Sequence, residues 1–197
     1  MLLFLVLLNV FNKGVKMNNK YNKYNGILFL IIFVYLILGN FYSFSSKLNS
    51  DPYNYVIENL GISADRIIAM GRSLGGAAAV DLASRNPVAG LILESTFTSA
   101  IRVVTQVPVL PFDRFINIRK IKKIHCPVLI IHGTDDEVIS FSHGRKLFEK
   151  ANEPKINLWI EGADHNQMLS LYAGKKYWEA FDKFTELIEM QIEFTGQ

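Results

Sequence analysis

The chain has 197 residues, half of them apolar and a fifth charged, proportions that suit one globular domain and exclude a disordered or fibrous chain. A single cysteine, Cys126, excludes a disulfide framework and a cysteine-based zinc site, and the four histidines show no metal-ligand spacing, so no metal or other cofactor is expected. The formal charge of +3 is unevenly spread: all 18 acidic residues lie beyond residue 50, whereas Lys13, Lys16, Lys20, Lys23 and Lys47 occupy the acid-free first 50 residues. The body has no basic excess, so no nucleic-acid partner is expected.

In chain order, Met1 to Phe11 is an apolar run too short to span a bilayer. Met17 opens a more conventional leader, MNNKYNKYNG, and is a second candidate start. Ile27 to Leu38 reads ILFLIIFVYLIL, and no charge appears before Lys47. Residues 27–44 approach the roughly 20 needed to cross a membrane as a helix. They are expected to form a signal anchor or a cleaved signal peptide, which makes 1–46 a hydrophobic leader and 47–197 the folded body. Four lysines before this run and one after it place the N-terminus in the cytosol. The body would then be periplasmic, lumenal or secreted; the competing expectation keeps the body cytosolic, at the inner face of the membrane.

Within the body, Tyr53, Val56, Ile57 and Leu60 recur at helical spacing and Gly61 stops them, which predicts a short amphipathic helix. Arg66–Met70 reads as a strand, Gly76–Ser84 as a helix ended by Asn86 and Pro87, and Ala89–Leu93 as a second strand. Residues 97–123 are less regular. A strand Val128–His132, a helix Phe141–Ala151, a strand Ile156–Ile160 and a long amphipathic helix Lys175–Phe194 follow. Continuously apolar strands alternating with helices predict an α/β fold, a mostly parallel sheet flanked by helices.

Chemistry concentrates at strand ends. Gly71-Arg72-Ser73-Leu74-Gly75-Gly76 lies between a strand and a small-residue helix. A serine nucleophile there occupies a sharp turn that needs flanking glycines so that strand and helix can approach. The spacing fits neither a phosphate loop nor a dinucleotide fingerprint. A serine hydroxyl is a weak nucleophile and needs a base, itself oriented by a carboxylate. His132-Gly133-Thr134-Asp135-Asp136 follows one strand and Glu161-Gly162-Ala163-Asp164-His165 the next. Ser73, Asp136 and His165 therefore stand in the chain order of an α/β-hydrolase triad. Asp135 is the rival acid, His132 is expected to pack beneath its loop, and Cys126 to be a packing residue.

The stretches GRSLGGAAAVDLASRNP (71–87), GLILESTFTSA (90–100), CPVLIIHGTDDEVI (126–139) and GADHN (162–166) resemble the α/β-hydrolase superfamily. The likeness is to its Bem46-like branch and the α/β-hydrolase domain-containing 13 and 17 proteins. The resemblance covers about residues 51–194 and implies Ser73 as nucleophile, Asp136 as orienting acid and His165 as general base and acid. The Leu74 N–H would then be half of the oxyanion hole. It also implies a serine hydrolase of ester or thioester bonds, with a small or lipid-like acyl substrate and membrane attachment through the leader. Two departures are Asp164, where glycine is usual, and Ser140, where proline is frequent.

A third departure lies ahead of the elbow. Only Ser45 to Asp65 separates the apolar leader from the elbow strand, enough for one helix and no sheet. The usual upstream strands and the loop carrying a second oxyanion donor are thus expected to be missing, leaving an edge of the elbow strand uncovered. The alternative function is therefore an inactive hydrolase remnant, or an interaction partner whose sheet another chain completes. Residues 101–118, rich in Ile, Val and Phe, are candidates to line an acyl pocket.

Overall fold

The computed structural model describes residues 30–33, 52–99 and 116–195. Its centre is a five-stranded parallel sheet in sequential order: β1 (Leu30–Phe33), β2 (Ile67–Arg72), β3 (Gly90–Glu94), β4 (Val128–Gly133) and β5 (Lys155–Ile160). Between and after them come α1 (Pro52–Glu58), α2 (Leu74–Arg85), α3 (Asn117–Lys120), α4 (Phe141–Lys150), α5 (Leu169–Tyr172) and α6 (Lys175–Thr195).

Alternation of side chains along each strand divides the core in two. Ile67, Ala69, Leu91, Leu93, Val128 and Ile130 face one layer, where Val56 of α1, Ala79, Val80 and Ala83 of α2 and Leu147 of α4 cover them. Ile68, Met70, Ile92, Leu129 and Ile131 face the other, under Leu169 of α5 and Tyr177, Phe184 and Ile188 of α6. Both faces are covered, which is why β2, β3 and β4 read as continuous apolar runs.

The body follows the expected elements closely. β2 begins at Ile67 because Arg66 closes a 3-10 turn, and it runs to Arg72; α2 starts at Leu74, immediately after Ser73. Of the residues expected to line an acyl pocket, 101–115 lie outside the described set, and Ile118 packs against the core layer of α2.

The front of the chain departs from expectation. Leu30–Phe33, inside the run expected to be a helix over 27–44, forms β1, pairing parallel with β2 in the register Leu30↔Ile67 to Phe33↔Met70. The rest of that run lies outside the described residues, and among those described no helix is long and apolar enough to cross a membrane. An unbroken apolar run suits a buried strand as well as a helix, and periodicity does not separate them. What separates them here is the free edge of β2, whose backbone groups require a partner. The edge expected to lie bare is thus paired within the chain. The other leader residues, on which the expected anchoring and export rest, lie outside the described residues.

Gly90 marks how tightly α6 sits on the sheet. A Cβ there would stand 2.5 Å from Phe184 Cζ and 2.8 Å from Ile188 Cδ1, and Phe184 is fully buried. Gly90→Ala is expected to lower stability by about 1–3 kcal/mol in urea unfolding. Combining it with Phe184→Leu should recover part of that loss; a fully additive double variant would contradict the packing.

Candidate active site

Ser73 occupies the junction of β2 and α2 with φ 51° and ψ −121°, a conformation that a residue with a Cβ adopts only under constraint, at about 1–3 kcal/mol. The constraint is visible atom by atom. Ser73 N–H donates to Glu94 O at the end of β3 (2.9 Å), and Ser73 O accepts from Gly76 N (3.1 Å) and Thr96 Oγ1 (2.6 Å). A Cβ at Gly71 would overlap the Gly75 carbonyl, and one at Gly76 would overlap the Thr96 side chain. The glycines are therefore needed for close approach of strand, helix and neighbouring loop. Leu74, first residue of α2, has an N–H that no carbonyl of its own helix can accept.

Asp136 follows β4 and is 5% exposed. Its Oδ1 accepts from the N–H groups of Val138 (3.1 Å) and Ile139 (2.7 Å), and its Oδ2 lies 2.8 Å from His165 Nδ1. The other imidazole nitrogen, His165 Nε2, is 3.1 Å from Ser73 Oγ. Since the carboxylate can only accept, Nδ1 carries the proton and Nε2 is left to accept from the serine hydroxyl. Burial pushes the Asp136 carboxyl up. Hydrogen bonds from His132, His165 and the Ile139 N–H outweigh that, holding it well below the usual carboxylate range.

Ser73, Asp136 and His165 are thus brought together from the loops after β2, β4 and β5. Asp135 is exposed and its carboxylate accepts from Thr134 Oγ1. His132 is fully buried beneath the Asp136 loop. Its Nε2 donates to Ile139 O (2.8 Å) and lies 3.4 Å from Asp136 Oδ2. Cys126 packs partly buried against the α2 side of the core, and burial pushes its thiol up to about 12, leaving it protonated at neutral pH. Among the described residues no group of three or more His, Cys, Asp or Glu is placed to hold a metal ion.

The two small departures acquire roles. Asp164 Oδ1 accepts from the N–H groups of Asn166 (2.7 Å) and Gln167 (3.0 Å), so its charge shapes the turn that carries His165. Ser140 caps α4, its hydroxyl accepting from Ser142 N. Three residues escape sequence reasoning: Arg72, whose guanidinium bonds the histidine loop, and the buried pair in which Tyr177 donates to Glu94. Arg72 occupies the unrestricted position of G-x-S-x-G, and Tyr177 lies 83 residues from Glu94; neither leaves a local signal.

No protein-family model matches the chain. It is 46% identical over 134 residues to human α/β hydrolase domain-containing protein 17B, covering 66% of this chain and 46% of that protein. To the mouse 17C protein it is 44% identical over 126 residues, covering 63% and 38%. The chain thus spans about half the length of the curated relatives it matches, or less. Among solved structures it resembles a Paleococcus ferrophilus monoacylglycerol lipase (TM-score 0.50, 18% identity, 70% of this chain and 72% of that one). It also resembles acetyl xylan esterase 1 from a Thermoanaerobacterium species (TM-score 0.52, 18% identity, 69% and 49%).

The lowered Asp136 pKa has a measurable consequence. A carboxyl whose folded pKa lies below its unfolded one contributes stability that is present above the unfolded value, about 3.9, and lost as pH falls through the folded value. The stability gap between wild type and Asp136→Asn should therefore be constant near neutrality and narrow below about pH 4. Urea unfolding across that range checks it; a gap that widens on acidification contradicts the assignment.

Proposed function

We propose that this chain, which has the α/β-hydrolase fold and is homologous to the α/β hydrolase domain-containing 17 proteins, is a serine hydrolase of acyl esters or thioesters. The observation that carries the reading is the hydrogen-bonded relay Ser73 Oγ, His165 Nε2, His165 Nδ1, Asp136 Oδ2. In this mechanism Ser73 Oγ attacks the acyl carbonyl while His165 Nε2 takes its proton, and ionised Asp136 holds the tautomer and stabilises the imidazolium. The Leu74 N–H faces the charge developing on the carbonyl oxygen. His165 then returns the proton to the leaving alkoxide or thiolate, giving the acyl-enzyme on Ser73. A water molecule, deprotonated by His165, releases the acid.

An acyl chain suits the surroundings. Val138, two residues past Asp136, is 53% exposed, and Met168 and Leu171, just past His165, are 61% and 76% exposed. These exposed apolar side chains, on the two loops and on α5, are the ground for proposing a small or lipid-like acyl substrate. The alternative, an inactive remnant completed by another chain, loses part of its motive because β1 already pairs with β2.

A fluorophosphonate probe should label wild-type protein at Ser73 and leave Ser73→Ala unlabelled. Asp136→Asn, which removes the charge behind the imidazole, should lower ester turnover by a factor on the order of 10⁴. Absence of labelling in wild type that unfolds cooperatively would overturn the proposal in favour of the remnant.

A further inference from the structure

Ser73 follows β2, whereas His165 follows β5, three strands away in the sheet. At roughly 4.8 Å per strand the histidine loop must reach back about 14 Å across the ends of β3 and β4 to meet the serine. Part of that reach is secured locally. Gly162 N–H donates to Thr134 Oγ1 (2.9 Å), Asp135 N–H donates to Ala163 O (3.1 Å), and the Gln167 amide oxygen accepts from Asp164 N–H (3.0 Å). These bonds hold the start of the loop over β4 and shape its turn. They do not join the loop to the elbow.

That join is made by Arg72. Its Nη2 donates to the backbone carbonyl of His165 and to that of Gln167 (3.1 Å), on either side of Asn166. The guanidinium is planar and permanently charged, with donors in a fixed fork, and its Cα is one peptide from Ser73. Arg72 is also paired across the β2–β3 ladder with Glu94, whose buried carboxylate accepts from Tyr177 OH of α6.

We infer that Arg72 is a positioning residue: a clamp built on the nucleophile's own strand that holds the backbone of the histidine loop, so that His165 Nε2 is kept against Ser73 Oγ. Loop and serine then move together, because both hang from the last residues of β2. Burial pushes the Glu94 carboxyl up while the Arg72 charge draws it down. The guanidinium therefore has a second, electrostatic role beneath the site, and the two roles are separable by experiment. The inference deepens the serine-hydrolase reading, and its labelling arm rests on that reading.

The test compares wild type, Arg72→Ala and Arg72→Lys by amide hydrogen exchange of residues 162–168 and by the rate of fluorophosphonate labelling. Loss of two charge-assisted hydrogen bonds should speed loop exchange in Arg72→Ala by at least about tenfold. Labelling should slow by at least about tenfold, and Lys, whose ammonium can still reach a carbonyl, should restore much of both. Should Arg72→Ala not fold, Arg72→Gln carries the same comparison. Unchanged loop exchange in the folded variant overturns the clamp, even if the melting temperature falls, since that would leave only the Glu94 pairing. A wild type that is never labelled would sink the hydrolase reading, while the exchange arm still decides the clamp.

Discussion

The backbone of Ser73, at φ 51° and ψ −121°, is the constraint on which the rest of the site depends. A free chain would relax that residue at once, because the conformation is unfavourable by about 1–3 kcal/mol. It persists because both sides are pinned: β2 is laddered on two edges and α2 is packed on the sheet. Missing Cβ atoms at Gly71 and Gly76 let helix, strand and the Thr96 loop close around the turn. From this turn follow the placement of the α2 N-terminus directly after Ser73 and the bond from Ser73 N–H to Glu94 O.

A parallel sheet supplies the second requirement, because every strand ends at the same rim. Residues 73, 136 and 165 are far apart in the chain yet leave β2, β4 and β5 at that rim. The helices contribute from behind. α6 buries Phe184 against Gly90 and sends Tyr177 to Glu94, so the covering of one sheet face also reaches the floor beneath the elbow.

Two buried carboxylates show how environment divides roles. Asp136 accepts from two backbone N–H groups and from His165, with His132 close by, and these donors outweigh burial; it stays ionised. Glu94 has one hydroxyl donor and the more distant charge of Arg72, and burial prevails, raising its pKa. A permanently charged group is what an orienting acid needs. The distinction lies in the balance of donors against burial: donors prevail at Asp136 and burial at Glu94.

Much of the fold was legible because the signals are local. Apolar runs bounded by Gly, Pro and Asn placed β2 to β5 and the main helices within about two residues, as boundaries usually allow. Ser73, Asp136 and His165, which the fold brings into hydrogen-bond contact, could be singled out as candidates because each follows its strand by a few residues and the order along the chain is informative. Leu30–Phe33 departs from the expected helix because an apolar run satisfies a bilayer and a sheet interior equally; whether it pairs depends on a free edge supplied 37 residues away at Ile67. Arg72, Glu94 and Tyr177 were invisible for the same reason. The sequence alone determined which residues are candidates for chemistry and which faces are apolar, since both are properties of neighbours along the chain. Only the tertiary structure decided that Arg72 grips the histidine loop and that Tyr177 reaches Glu94, because those roles are set by distances between segments that the chain order does not contain.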